Sequence, residues 1–259
     1  MPTWNPELYL RFSEYRTRPN RELVASIATE RASNIVDLGC GPGNSTGVLR
    51  ERWPDAAITG LDNSLEMLNY ARMKYPEHEW ICGDIPEWAS ASDKRYDVVF
   101  SGAALQWVGN YQQLLPRLMQ RVDIDGTLAV QVPYNWDEPF HRILCDLEAS
   151  SFWREQLPPA GVRAKLGEDA GFYYDILAPV STKLNIWETR YTLMMPGIES
   201  IVDWLKGTAL RPFLDALSHD EHRKRFVDDF AGALQSAYKP RTNGNVLFPF
   251  RRLFLIATY

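Results

Sequence analysis

The sequence predicts an α/β fold: a seven-stranded, mostly parallel sheet with helices on both faces and a helical lid. Three observations carry this expectation. Short apolar runs alternate with stretches of helical spacing through the first half of the chain, the pattern of βαβ units. The first run ends in a glycine-rich turn, and after Pro133 the pattern changes to long helical stretches broken by Pro and Gly.

Each element follows from local chemistry. Asn34–Leu38 is apolar, stops at glycine and reads as a buried strand. Ser45–Trp53 reads as a helix ended by Pro54, and Ala57–Leu61 as the second strand. Ser64–Tyr75 places Leu65, Met67, Leu68 and Ala71 at helical spacing and stops before Pro76. Glu79–Cys82 is a third, weaker strand and Tyr96–Ser101 a fourth. Tyr111–Val122 carries Leu114, Leu115, Leu118 and Met119 on one side of a helix, and Gly126 turns the chain into a fifth strand, Thr127–Val132. This alternation requires parallel pairing with right-handed crossovers. Farther on, Glu138–Trp153 predicts a helix, and Pro158, Pro159 and Gly161 a loop. Lys183–Leu193 predicts a sixth strand, Ile198–Tyr238 several helices broken at Gly207 and Pro212, and Val246–Thr258 the last strand after an Asn243-Gly244 turn. The opening stretch, Trp4–Arg21, is mixed and rich in aromatics and arginine.

Composition narrows the function. The 259 residues suit one large α/β domain, and 45% hydrophobic with 24% charged residues is enough to bury an ordinary core. A net charge of −5 gives no basic footprint for nucleic acid or an anionic membrane. An anionic substrate would need local arginines against that average field. Cys40, Cys82 and Cys145 are scattered and form no CxxC pair, which supports neither a zinc site nor a disulfide framework and suits a reducing cytoplasm. Met1–Arg11 has no apolar run of signal-peptide type, and no window approaches the roughly 18 apolar residues of a membrane span.

The turn from Val36 to Asn44 is the strongest functional signal. Gly39, Gly41 and Gly43 permit positive φ and close approach of a ligand to the backbone, and the following helix start offers unpaired N–H groups. The spacing is G-x-G-x-G; a dinucleotide-binding turn wants a third glycine where Asn44 stands, so a cofactor without phosphates fits better than a pyrophosphate. Asp62 ends the second strand, where a carboxylate can accept from the two hydroxyls of a ribose; as a bare alternative it would cap the helix before Ser64. Gly83 and Asp84 end the third strand, with Asp84 placed to accept from an adenine amino group and Ile85 to pack on the ring. Ser101, Gly102, Ala103 and Ala104 end the fourth strand with small side chains that leave room for a ligand. Asp37, Asn63 and Met67 complete the candidate cofactor set.

These residues, from Val36 to Thr46 with Asp62, Gly83-Asp84 and Asp97 to Trp107, resemble the Rossmann-like class I S-adenosylmethionine-dependent methyltransferases. Within them the chain is similar to the trans-aconitate 2-methyltransferase family. That similarity is carried by Trp4-Asn5-Pro6 with Tyr9-Leu10, Arg18-Pro19, Ala104 to Trp107, Gln131 to Pro133 and Glu138-Pro139. It continues through Tyr173 to Leu177, Asp203-Trp204, Leu210 to Pro212 and Arg252 to Ala257. One departure is Gly102, where the resemblance implies asparagine. The resemblance implies methyl transfer from S-adenosyl-L-methionine, released as S-adenosyl-L-homocysteine, to one carboxylate of trans-aconitate in a bacterial cytoplasm. It also implies a single domain over 1–259. That domain comprises a cap segment 1–30, a cofactor-binding core 31–133, a substrate lid 134–182 and 198–240, and final strands 183–193 and 246–258.

A carboxylate acceptor is already ionised at neutral pH, so the reaction asks for alignment and charge clamping rather than a general base. Arginine supplies a fork that matches a carboxylate. Arg11, Arg18, Arg211 and Arg252 are the candidates, with Arg211 favoured by its apolar neighbours Leu210 and Pro212-Phe213. Tyr15 and Trp107 could wall the pocket, though Trp107 equally suits a core. His141 has no evident catalytic partner, and His219 with His222 lack a third metal ligand. Rival readings are a methyl ester synthase acting on a malonyl group held by a carrier protein, a non-catalytic S-adenosylmethionine-binding protein, and a dehydrogenase.

Overall fold

A computed structural model describes residues 12–91, 93–158 and 168–259. The opening motif with Arg11, and Pro159 and Gly161, lie outside the described residues. The elements alternate as the sequence requires: α1 (Ser13–Ser26), β1 (Asn34–Leu38), α2 (Asn44–Arg52), β2 (Ala57–Asp62), α3 (Leu65–Lys74), β3 (Glu79–Cys82), α4 (Ile85–Ala91), β4 (Tyr96–Gly102), α5 (Tyr111–Met119) and β5 (Val122–Pro133). They continue with α6 (Pro139–Ala149), α7 (Ser151–Gln156), α8 (Ala170–Leu177), β6 (Lys183–Met195), α9 (Ile198–Lys206), α10 (Arg211–Ala216), α11 (Asp220–Ala237) and β7 (Val246–Thr258).

The seven strands lie in the order β3-β2-β1-β4-β5-β7-β6. β1 pairs in parallel with β2 and β4, β2 with β3, and β4 with β5; β7 pairs with β5 antiparallel. The chain reverses at β1: it runs outward to β3 and then crosses to β4. Open α/β sheets bind ligands at the carboxyl ends of strands where the order reverses. Pro133, the last residue of β5, stands opposite Arg252 on β7.

The described chain divides into two compact units. The sheet unit comprises the described residues of 13–134, 168–189 and 252–259. Its core gathers Val36, Leu38, Leu61, Val99, Leu115, Leu118, Val130 and Leu255, with Leu114, Leu115, Leu118 and Met119 of α5 facing inward as their spacing predicts. The helical unit holds residues 135–158 and 190–251 with Phe12. Its core is aromatic: Phe140 stacks on Phe250 at 6.2 Å, Trp153 meets Phe226 edge-on at 4.9 Å, and Phe226 stacks on Phe213 at 5.3 Å.

One segment departs from the expected lid. Residues 168–182 belong to the sheet unit, because α8 buries Tyr173 and Leu177 in the sheet's core, with Tyr173 edge-on to Tyr111 at 5.5 Å. Two short helices also went unpredicted. α1 carries Pro19 in its middle, which hides a helix from any pattern search, and α4 begins Ile85-Pro86, a good helix start that reads as a breaker. The Glu138–Trp153 helix divides at Ser150 into α6 and α7.

Candidate active site

From β1 the chain turns through Gly39, Cys40, Gly41, Pro42 and Gly43 into α2. Gly39, Gly41 and Gly43 have φ of +71°, +54° and +85°, a region that costs other residues roughly 1–2 kcal/mol. Their surroundings differ. A Cβ on Gly39 would lie 2.1 Å from Cβ of Ala104, whereas one on Gly41 would meet nothing within 4 Å. The backbone at Gly41 therefore borders open space.

Asp62 buckles this turn to the end of β2. Its Oδ2 accepts from the Gly41 N–H at 2.9 Å and its Oδ1 from the Ser64 N–H at 2.9 Å. Burial pushes its pKa up against those backbone bonds. A carboxylate has about four acceptor positions, so these backbone bonds do not exhaust it and room remains for an outside donor. Ser64, not Asp62, caps α3: its Oγ accepts from the Met67 N–H at 3.3 Å.

Asp37, fully buried on β1, accepts from Ser45 Oγ and Thr46 Oγ1 at 2.7 Å each, all on Oδ2. Its Oδ1 is buried without a protein partner, as is Nδ2 of Asn44. Burial raises the Asp37 pKa to about 6, with the two hydroxyl bonds pulling down and Asp62 adding upward pressure. An unmet acceptor and an unmet donor thus flank the glycine turn.

At the end of β3, Asn63 Nδ2 donates to Oδ1 of the exposed Asp84 at 3.2 Å, and the Gly83 N–H bonds the Asp62 carbonyl at 3.1 Å. Ile85 and Met67 are both buried, Ile85 as the first residue of α4 in the sheet's core, because an apolar side chain at a helix start is drawn under the sheet. At the end of β4, Ser101 is buried and donates to the Leu38 carbonyl at 3.0 Å. Ala103 holds φ of +64°, a left-handed conformation unusual for alanine, and its N–H bonds the Gln131 carbonyl at 2.9 Å. Trp107, in the short helical turn that follows, is about half exposed and so is not core.

The candidate substrate residues divide between the units. Tyr15, Arg18, Trp107 and Arg252 belong to the sheet unit and Arg211 to the helical unit. Arg252 is buried, and its Nη1 donates to Oε1 of Gln131 at 3.1 Å. Tyr15 is half-buried on α1; Arg18, one turn on, is exposed and paired with Glu22 at 2.9 Å. Arg211 opens α10 between the buried Leu210 and Phe213 and pairs with Asp215 at 3.5 Å. His141 lies in the helical unit, edge-on to Trp136 at 5.3 Å. Among the described residues no cluster of three His, Cys, Asp or Glu side chains could hold a metal. The buried amides of Asn20 and Gln131 were not singled out from sequence. Gln131, polar within the otherwise apolar run 128–132, was the visible sign.

A family model described as a methyltransferase domain matches residues 35–126, the stretch holding the glycine turn, Asp62 and Ser101. The trans-aconitate 2-methyltransferase of Azoarcus sp. (strain BH72) is 43% identical over 257 residues, covering 99% of each chain. The chain belongs to the trans-aconitate 2-methyltransferase family. A second relative of that name, from Paracidovorax citrulli, is 41% identical over 99% of this chain and 98% of its own. The YcgJ protein of Bacillus subtilis shares the fold at a TM-score of 0.59 and 15% identity, over 93% of this chain and 98% of that one. A phosphoethanolamine N-methyltransferase of Haemonchus contortus, solved with S-adenosylhomocysteine, superposes at a TM-score of 0.55 and 13% identity, over 93% of this chain and 52% of that one. These two likenesses concern the fold alone. Among the described residues no helix is long and apolar enough to cross a membrane.

Proposed function

We propose that this protein transfers a methyl group from S-adenosylmethionine to one carboxylate of trans-aconitate or a similar small polycarboxylate, forming a monomethyl ester. The observation that carries this reading is a buried arginine, Arg252, at the carboxyl edge of the same sheet whose β1–α2 turn is buckled by Asp62. When bound, S-adenosylmethionine supplies an electrophilic methyl on a sulfonium. The chain's residues fit it: Asp62 has room to accept from the ribose, the turn at Gly41 admits close approach, and Asp37 Oδ1 can meet the amino group. Gly83, Asp84 and the small residues Ser101 and Ala103 border the rest of the cofactor. Within the sheet unit, Arg252 holds the acid, with Trp107 and Tyr15 as walls. Because the acceptor carboxylate is already ionised, these residues need only orient it, and orientation can lower a barrier by roughly 7–11 kcal/mol at best. Cysteines that form no disulfide among the described residues suit a cytoplasmic setting.

Incubation with methyl-labelled S-adenosylmethionine and a panel of di- and tricarboxylates tests the reading. Base-labile label on trans-aconitate is expected. Label only on a carrier-bound malonyl group, or on none of the acids, would overturn it. The net charge of −5 disfavours docking to an acidic carrier protein.

Two outcomes test individual residues. Arg211→Lys keeps the charge and loses the fork, so KM for the acid should rise with S-adenosylmethionine affinity unchanged; wild-type kinetics would remove Arg211 from the site. For Asp37 the effect is one of pH. Its folded-state pKa of about 6 exceeds the ordinary 3.8. The native protein therefore keeps a proton there that the unfolded chain loses, and the free protein is destabilised by this group as pH rises from about 4 to 6. A cationic amino group beside Asp37 needs the ionised form. Cofactor affinity should then fall about tenfold from pH 7 to 5, with proton release on binding. Calorimetry in buffers of different ionisation heat measures this, and Asp37→Asn should flatten the dependence.

A further inference from the structure

Arg252 does not sit alone in the sheet unit. Its Nη1 donates to Oε1 of Gln131 at 3.1 Å, and Nε2 of Gln131 donates to Oδ1 of Asn20 at 3.0 Å. All three side chains are buried, at 5%, 1% and 6% exposure. They come from β7, β5 and α1, separated by more than a hundred residues of chain. A guanidinium offers only donors, so Gln131 must present its oxygen to Arg252. Its NH2 group then faces Asn20, and Asn20 must in turn present oxygen. One fixed orientation propagates through both amides.

The chain has left space for this arrangement. A Cβ on Gly102, which stands opposite Gln131 across β4 and β5, would lie 2.5 Å from Oδ1 of Asn20 and 3.0 Å from its Cγ. The Asn20 amide fills the volume that a side chain at 102 would take. The amide reaches in from α1, and glycine at 102 is the condition for it. Gln131 also fixes the neighbouring backbone, since its carbonyl accepts from the N–H of Ala103.

We propose that Gln131 and Asn20 are positioning residues that aim the Arg252 guanidinium at a substrate carboxylate. The proposal rests on the reading that Arg252 holds the acid. An amide suits the task better than a carboxylate, because it directs the guanidinium without cancelling any of its charge. A glutamate in the same place would compete with the substrate.

The test is a steady-state comparison of Arg252→Met, Asn20→Leu, Asn20→Asp and Gln131→Glu, with calorimetric affinity for S-adenosylmethionine measured alongside. Arg252→Met should raise KM for trans-aconitate. Asn20→Leu removes the acceptor that orients Gln131 and should raise that KM about tenfold, as for one lost hydrogen bond to a charged group, with a much smaller change in kcat. Asn20→Asp keeps an oxygen acceptor and should restore KM to near the wild-type value. Gln131→Glu is isosteric, reaches the same link if Asn20→Leu does not fold, and should also raise KM. Cofactor affinity should hold throughout. Folded Asn20→Leu and Gln131→Glu proteins with wild-type KM, beside an impaired Arg252→Met, would overturn the positioning role and leave the Arg252 reading standing. A wild-type KM in Arg252→Met would overturn both.

Discussion

Asp62→Ala is expected to weaken S-adenosylmethionine binding by about 1.5–3 kcal/mol, or roughly 10- to 150-fold. Two losses combine. The substitution removes the acceptor proposed for the ribose hydroxyls, and it unfastens the Gly41 N–H from the end of β2, where Oδ2 now holds it at 2.9 Å. The free protein should be less affected than the complex. Burial already pushes the Asp62 carboxyl upward in pKa, so deleting it relieves a desolvation cost while it breaks two backbone bonds. Asp62→Asn separates the contributions. Its single oxygen can satisfy one backbone N–H while its NH2 group opposes the other, so it should lose most of the affinity at similar size. Calorimetry together with thermal unfolding makes the measurement. Unchanged affinity in a folded alanine variant would remove Asp62 from the cofactor site.

The sheet and the glycine turn could be read from sequence because their signals are local. A run such as Asn34–Leu38 carries apolar Ile35, Val36 and Leu38 and is buried from Ile35 onward because both faces are covered, and positive φ at Gly39, Gly41 and Gly43 demands glycine within five residues. What failed were features decided by distant packing. α1 contains Pro19 and so breaks the helical rule, yet the helix packs on α2 and β5 and delivers Asn20 to the sheet. Residues 168–182 carry the same aromatic, helical spacing as the predicted lid, and long-range packing such as that of Tyr173 on Tyr111 assigns them to the sheet unit. Arginines were equally ambiguous. Arg18 and Arg252 look alike as letters, and one is exposed beside Glu22 while the other is buried against Gln131.

Gly39 and Gly41 should separate folding from binding. Gly39→Ala combines a left-handed φ of +71° with a Cβ 2.1 Å from Cβ of Ala104. The conformational cost is roughly 1–2 kcal/mol and the overlap adds roughly 1–3 kcal/mol. Against a typical stability of about 5–15 kcal/mol, this loss should appear as a large drop in unfolding midpoint without any ligand. Ala104 cannot simply withdraw, since it follows Ala103, whose backbone is bound to Gln131 and already left-handed at +64°. Gly41→Ala meets no neighbour within 4 Å, so it should cost only the conformational part, roughly 1–2 kcal/mol. Its methyl group projects into space that the cofactor is proposed to occupy. Cofactor affinity should therefore fall more than stability does, while Gly39→Ala should lose stability first. Denaturant unfolding of both variants, with calorimetric titration of whichever remains folded, decides the matter. Normal S-adenosylmethionine binding by Gly41→Ala would mean that the open space beside the turn is not the cofactor's and that these glycines serve folding alone.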